Sequence, residues 1–141
     1  MNPEVDTILS LTAQKIVAGL GEHGQAFAQG TAGLIAMMLS LSAKEYDRAA
    51  DIRVVENADL RSLFAELAPQ AGDAGLKGKL EAAAKGTDAS LRIGVLNANN
   101  DALRRLLTEA MIDSEDRNAT TALKRIWAVL QAMAARRLVT L

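Results

Sequence analysis

The sequence predicts an all-α fold, a single-domain bundle over residues 1–141 with four long helices plus one short helix. Alanine and leucine are its commonest residues and favour helices, whereas the aromatic residues that favour strands make up 3%. The only prolines, Pro3 and Pro69, stand where helices begin or end. A chain of 141 residues suits one domain, since domains usually contain about 100–150 residues. Short links between successive helical stripes favour a bundle.

Composition excludes several kinds of chemistry. The chain has no cysteine and one histidine, which removes disulfides, thiolate catalysis and cysteine-bound zinc. Its net charge of −1 gives no overall attraction to nucleic acid. A secretory signal begins with basic residues, and here none precedes Lys15. The apolar run at 32–41 is shorter than the ~20 residues of a membrane span. We expect no catalytic residue, cofactor or metal, and a cytoplasmic protein without a membrane segment.

The chain opens with a helical signal. Asn2 can cap a helix whose first position is Pro3, with acidic residues in its first turn. Glycines at positions 19, 21 and 24 break the apolar stripe that follows. That stripe consists of Val5, Ile8, Leu9, Ile16, Val17 and Leu20.

A mostly buried helix is predicted at about 24–41. Small residues recur there at every fourth position, beside a stripe of larger ones. The larger stripe is Phe27, Thr31, Leu34, Ile35, Met38 and Leu41. Because small residues let helix backbones approach closely, we expect Ala28, Ala32, Gly33 and Ala36 to form a helix–helix contact, within the chain or with a partner.

The next helix is predicted to begin at Ser42 and to stop before Pro69. Ser42-Ala43-Lys44-Glu45 has the spacing of a capping box. The side chains expected to face inward are Tyr46, Ala49, Ile52, Leu60, Leu63, Phe64 and Leu67. A short, loosely held helix follows at about 74–85 and ends at Gly86.

Two further long helices complete the bundle. Asp88 or Ser90 is predicted to cap the first, which reaches about Met111, and Asn118 is predicted to cap the second. The apolar stripe of this last helix is the clearest in the chain. It consists of Ala122, Leu123, Ile126, Trp127, Leu130, Met133, Ala134 and Leu138, so Trp127 is expected in the core.

Residues 19–24, Gly-Leu-Gly-Glu-His-Gly, match the GxGxxG spacing of dinucleotide-binding turns. Such a turn belongs between a strand and a helix, and parallel strands follow it. The best strand candidates here, at 51–55 and 91–96, are short. We interpret the motif as a glycine-rich turn between helices, and an α/β alternative stays open.

The two ends of the chain differ in charge. Residues 1–66 contain nine acidic and five basic residues, whereas five basic residues and no acidic one follow Asp116. Arg125, Arg136 and Arg137 could attract an acidic partner or the acidic face of a second copy. Favourable interaction with a helix dipole also explains Arg136 and Arg137.

Leucine and asparagine spacing carries a family resemblance. The run from Leu91 through Leu96-Asn97-Ala98-Asn99-Asn100 to Leu107 resembles a segment of FlgN-type flagellar export chaperones, over about 17 of 141 residues. The resemblance implies a small all-helical cytosolic protein that holds hook-associated subunits before export. The glycine- and alanine-rich first forty residues depart from that family's long charged helices. Alternatively, buried asparagines fix the register of packed helices.

These observations lead to a functional expectation with two alternatives. We expect a non-catalytic helical accessory protein that contacts a protein partner or a second copy of itself, as in a homodimer. One alternative is a small-molecule-binding bundle whose apolar core pocket is lined by Met37, Met38, Met111 and Met133. The other is an export chaperone for a protein client.

Overall fold

A computed structural model describes residues 5–19 and 26–138, which form helices and contain no strand. The prediction of an all-α fold is confirmed. The helices are α1 (Val5–Gly19), α2 (Ala26–Leu67), α3 (Ala74–Ala84), α4 (Ile93–Asp116) and α5 (Thr120–Arg136), with a 3-10 turn at Ala68–Gln70. The predicted cap at Asn2 lies outside the described residues.

The chain divides into two compact units. The N-terminal unit contains the described residues up to Ala49, that is, α1 and the first part of α2. The C-terminal unit, Ala50–Leu138, contains the rest of α2 and α3 to α5. The candidate surface developed below belongs entirely to the N-terminal unit.

α2 is one helix of 42 residues where the sequence predicts two. The predicted start at Ser42 is wrong, because no glycine or proline interrupts the chain between Gly33 and Pro69 and the helix continues through the capping-box spacing. The predicted stop before Pro69 is correct: α2 ends at Leu67. Proline lacks the backbone N–H that an α-helix interior needs, and it disfavours helical backbone at the residue before it.

The C-terminal unit packs around one apolar core. Leu60, Leu63 and Phe64 of α2 are completely buried at its centre. The short helix α3 is better anchored than the sequence predicts, because Leu76 and Leu80 both belong to this core. The remaining buried members are Leu67, Ala68, Leu103, Leu107, Ala110, Ala122, Ile126, Val129 and Met133.

Both predicted caps of the last two helices are wrong. α4 begins at Ile93, because the Asp88 carboxylate binds side chains described below and Ser90 accepts only a local hydrogen bond from the backbone of Arg92 at 3.2 Å. Asn118 adopts a left-handed backbone with φ of 52°, and the residue that precedes α5 is Ala119.

Two aromatic side chains predicted to face inward lie at the surface. Trp127 is 53% exposed and Tyr46 is 57% exposed. On α5 the buried residues are Ala122, Ile126, Val129 and Met133. Trp127 is adjacent in sequence to Ile126 and is therefore rotated about 100° away from it around the helix.

Candidate functional site

The N-terminal unit has small residues on its inner face. Ala13 of α1 and Ala32, Ala36 and Ala43 of α2 are 4%, 7%, 8% and 4% exposed. The three alanines of α2 recur on one side of that helix, as expected of an inward face. Two of the four predicted contact residues, Ala32 and Ala36, are therefore buried by the unit itself.

The other two predicted contact residues differ from these. Ala28 is half-buried, whereas Gly33 is exposed. A Cβ atom added to Gly33 would meet no packing neighbour within 4 Å. Close approach of two backbones therefore does not occur at Gly33 among the described residues.

The large apolar side chains of α2 point away from its alanine face. Leu34, Met38 and Leu41 follow at intervals of four and three residues, which places them on one face of the helix. Leu34 is 61% exposed, Met38 is 65% exposed and Leu41 is half-buried. The predicted stripe exists, but the prediction that this part of α2 is mostly buried is wrong, because the alanine face is the one turned inward.

α1 repeats this arrangement. Ile8 and Leu11, three residues apart, share a face and are 45% and 51% exposed, whereas Ala13 is buried. We refer to the exposed stripe on α2, which consists of Leu34, Met38 and Leu41, as the outward seam. Ile8 and Leu11 form a separate exposed stripe on α1. Isoleucine, leucine and methionine are among the residue types that proteins most often bury.

The end of α1 and the first part of α2 line one open groove, which has a volume of about 520 Å³. Its described lining residues are Lys15, Ile16, Gly19, Ala28, Thr31, Ala32 and Ile35. This set contains none of the methionines proposed above to line a pocket: Met37 is 40% exposed, Met38 belongs to the seam, and Met133 is buried in the core of the C-terminal unit.

The outward seam lies in an uncharged part of α2. Residues 26–43 contain no charged side chain. Charges of both signs follow directly, because Lys44 and Glu45 come three and four residues after Leu41 and both are exposed. The seam is therefore an apolar stripe that ends at a mixed-charge segment of the same helix.

The arginines predicted to attract an acidic partner are paired within the chain. The pairs are Arg125–Glu66, Arg136–Asp59 and Arg137–Glu56. Arg125 binds both Glu66 oxygens, at 2.8 and 2.7 Å, and this hydrogen bonding lowers the pKa of Glu66 and raises that of Arg125. Residue numbers fall along α2 as they rise along α5, so the two helices run antiparallel. These ion pairs within the chain therefore neutralise much of the charge by which its two ends differ.

A buried polar network joins α2, α4 and the end of α5. Glu56 and Asn57 are completely buried and Asn100 is 2% exposed. Arg137 donates to both Glu56 oxygens at 2.6 Å, and the Asn100 amide donates to Asn57 at 2.9 Å and to Glu56 at 3.3 Å. A slip of α4 along α2 would leave these groups unpaired, so the network fixes their register.

Asp88 extends the network into the link between α3 and α4. Its carboxylate accepts two hydrogen bonds from Arg61, at 2.7 and 3.1 Å, and others from Asn57 and Asn99. The Arg61 hydrogen bonds are the main reason that the pKa of Asp88 falls to about 2, and Asn99 and Asn57 lower it further. Asn97 accepts from Arg53 at 2.7 Å. Each of the three clustered asparagines therefore has a structural hydrogen bond.

The buried carboxylates of the described residues bind arginines. Arginines hold Glu56 and Asp88 as structural carboxylates, and no cluster of three potential metal-ligating side chains occurs among residues 5–19 and 26–138. The glycine motif extends beyond Gly19 into residues that the structure does not describe. In the part of the chain that is described, no helix is long and apolar enough to cross a membrane.

Comparisons with protein-family models, curated proteins and solved structures find no match to this chain. The geometry of its surfaces is therefore the basis for a functional proposal. The sequence predicted Leu34, Met38 and Leu41 on a mostly buried helix and did not identify them as a surface. The sequence did contain a signal for an apolar surface. The uncharged run at 26–43 is unusually long for a helix of which one side is exposed to water.

Proposed function

We propose that this protein is a non-catalytic helical interaction protein whose outward seam binds an α-helical surface of a protein partner. The observation that supports the proposal is the inverted packing of the N-terminal unit. Alanines fill its inner face, whereas Leu34 and Met38, with more than half of their surface exposed, face outward. A contiguous exposed apolar surface of this kind is typical of an interaction site.

The seam offers apolar burial energy to a partner. Complete burial of a leucine or methionine side chain contributes about 1.5–3 kcal/mol, and the three seam residues have roughly half of that still to gain. Covering them therefore offers about 2–4 kcal/mol before the cost of association is subtracted, so a partner must supply further contacts of its own.

The spacing of the seam favours a helix as the bound element. Apolar residues at alternating intervals of three and four make a ridge that packs against a second helix at a shallow crossing angle. Since residues 26–43 carry no charge, the surface that best covers them is also apolar.

Site-specific photo-crosslinking tests the proposal in the cells that express the protein. A photoreactive amino acid replaces Met38, and in a matched control it replaces Lys77 of α3, which is exposed on the C-terminal unit. We expect a discrete covalent adduct from position 38 and none from position 77, detected as a shifted band and identified by mass spectrometry. Absence of an adduct at position 38, or equal adducts at both positions, would contradict the proposal.

The identity of the adduct separates the remaining alternatives. A dimer of this chain indicates self-association, and a different protein indicates an accessory or chaperone role. Recovery of exported flagellar subunits would support the chaperone function that the resemblance to FlgN-type proteins implies.

A further inference from the structure

We infer that the N-terminal unit opens locally while the C-terminal unit stays folded, so that the outward seam alternates between an ordered and an open state. The opening is a property of the chain alone. Its consequence for the seam rests on the proposed function, because a partner that binds the ordered helix also shifts the chain toward that state.

The side chains that the N-terminal unit buries are small. Its described buried residues are alanines, at positions 13, 32, 36 and 43, whereas Leu34 and Met38 have more than half of their surface in water. Apolar burial stabilises a fold in proportion to the area removed from water, and an alanine contributes a single methyl group. These alanines therefore contribute little against the conformational entropy that two helices lose when they become ordered.

Two glycines lower the stability of the same part of α2. Gly30 and Gly33 lie inside the helix and are exposed, and a Cβ atom added to either would meet no packing neighbour within 4 Å among the described residues. Glycine is less favourable than alanine inside a helix, because its backbone loses more conformational freedom on ordering. Gly33 is adjacent to Leu34, so the weakened segment includes the beginning of the seam.

The C-terminal unit contains stronger contacts. Leu60 and Phe64 are completely buried in its core, and Arg137 donates to both oxygens of the buried Glu56 at 2.6 Å. Opening of this unit exposes large apolar side chains and breaks a buried ion pair. Opening of the N-terminal unit exposes alanine methyl groups and larger side chains that are already partly in water. The free energy of local opening should therefore be much lower in the N-terminal unit.

The opening controls the seam. Leu34, Met38 and Leu41 share a face only while this part of α2 is helical. A partner that recognises this face binds the ordered state, so its apparent affinity falls in proportion to the fraction of molecules in that state. Binding stabilises the ordered state in turn, and recognition is therefore coupled to ordering of the helix.

Hydrogen–deuterium exchange with peptide mass spectrometry measures the opening in a dilute solution of the purified chain. After correction for the intrinsic rate of each amide, residues 30–45 should exchange at least about a hundredfold faster than residues 58–67. Both segments belong to α2, so the comparison is made within one helix. Equal protection of the two segments would overturn the inference.

Alanine substitutions test the role of the glycines. The variant with Gly30→Ala and Gly33→Ala should slow exchange at 30–45 about tenfold and leave residues 58–67 unchanged, because alanine favours the helix and meets no neighbour at either position. Gly78→Ala is the matched control, since Gly78 is an exposed glycine inside α3 with the same open space. It should not alter exchange at 30–45. An unchanged rate in the double variant would also overturn the inference.

Photo-crosslinking at position 38 distinguishes this inference from the proposed function. The adduct should form in higher yield when the chain also carries Gly30→Ala and Gly33→Ala, and an unchanged yield would overturn the coupling between ordering and recognition. Fast exchange at 30–45 without any adduct supports the local opening and overturns the interaction function. Equal protection of the two α2 segments with an adduct at position 38 overturns the opening and leaves the interaction function standing.

Discussion

The substitution Asp88→Asn tests whether the buried network stabilises the C-terminal unit through ionic hydrogen bonds. The Asp88 side chain is 10% exposed and accepts from both terminal nitrogens of Arg61. The pKa of Asp88 falls from 3.8 to about 2 on folding. A difference of this size corresponds to about 2 kcal/mol of folding free energy at neutral pH.

The pH dependence of this contribution has a definite sign. Because folding lowers the pKa, the carboxylate stabilises the folded state fully above about pH 5. The contribution is lost as the pH falls through 4 toward 2, and at pH 2 less than about 0.5 kcal/mol remains. Asp88→Asn should therefore destabilise the protein strongly at pH 7 and only weakly at pH 2.

Urea unfolding followed by circular dichroism measures the loss of stability at pH 7 and at pH 2. With a slope of about 2 kcal/mol per molar urea, the variant's midpoint should fall by about 1 M at pH 7. Asp101→Asn is the control, because Asp101 is an exposed carboxylate on α4, and it should change stability by less than about 0.5 kcal/mol. An equal loss for Asp88→Asn at pH 7 and pH 2, or none at pH 7, would refute the ionic explanation.

The remaining predictions also use urea unfolding as the readout. Phe64→Ala should cost about 3–5 kcal/mol, because Phe64 is completely buried in the core; a loss below 1 kcal/mol would mean that the core is loosely packed. Arg137→Met should cost about 3 kcal/mol by leaving the buried Glu56 with the 3.5 Å contact to Arg53 as its remaining ion pair, and adding Glu56→Met should restore most of the stability; no recovery would mean that the pair itself is strongly favourable. Gly33→Ala should stabilise α2 by about 0.5–1 kcal/mol, whereas a loss would reveal a close neighbour at that position. Arg125→Gln should shift the midpoint slightly, since this pair with Glu66 is exposed, and a shift that survives high salt would argue against a surface ion pair.

Local signals in the sequence predicted several helix ends correctly. Pro69 ends α2 because its ring cannot continue the helix, and the predicted short helix at 74–85 matches α3 at Ala74–Ala84. The predicted helix start at Ser42 is wrong because the capping-box spacing also occurs inside helices. Without a glycine or proline nearby, nothing in the backbone forces a stop there.

Long-range information was not available from the sequence. Periodicity places Leu34 and Met38 on one face, but it does not say whether that face or the neighbouring alanine face is turned inward. The pair Arg137–Glu56 joins residues 81 positions apart, so no local spacing predicts it. The two ends of the chain differ in charge partly because such pairs join α2 to α5.

The most direct test of the interaction surface uses a methionine of the unmodified chain. Met38 is 65% exposed in the single chain and Met133 is 3% exposed, so hydrogen peroxide should oxidise Met38 rapidly and Met133 slowly when the seam is free. Peptide mass spectrometry measures the ratio of the two rates in concentrated extract of the cells that express the protein and in a dilute solution of the purified chain. If a protein partner covers the seam, Met38 is protected in the extract and becomes reactive in the dilute solution, while Met133 stays protected in both. Equally rapid oxidation of Met38 in both samples, relative to Met133, would contradict the proposed interaction surface.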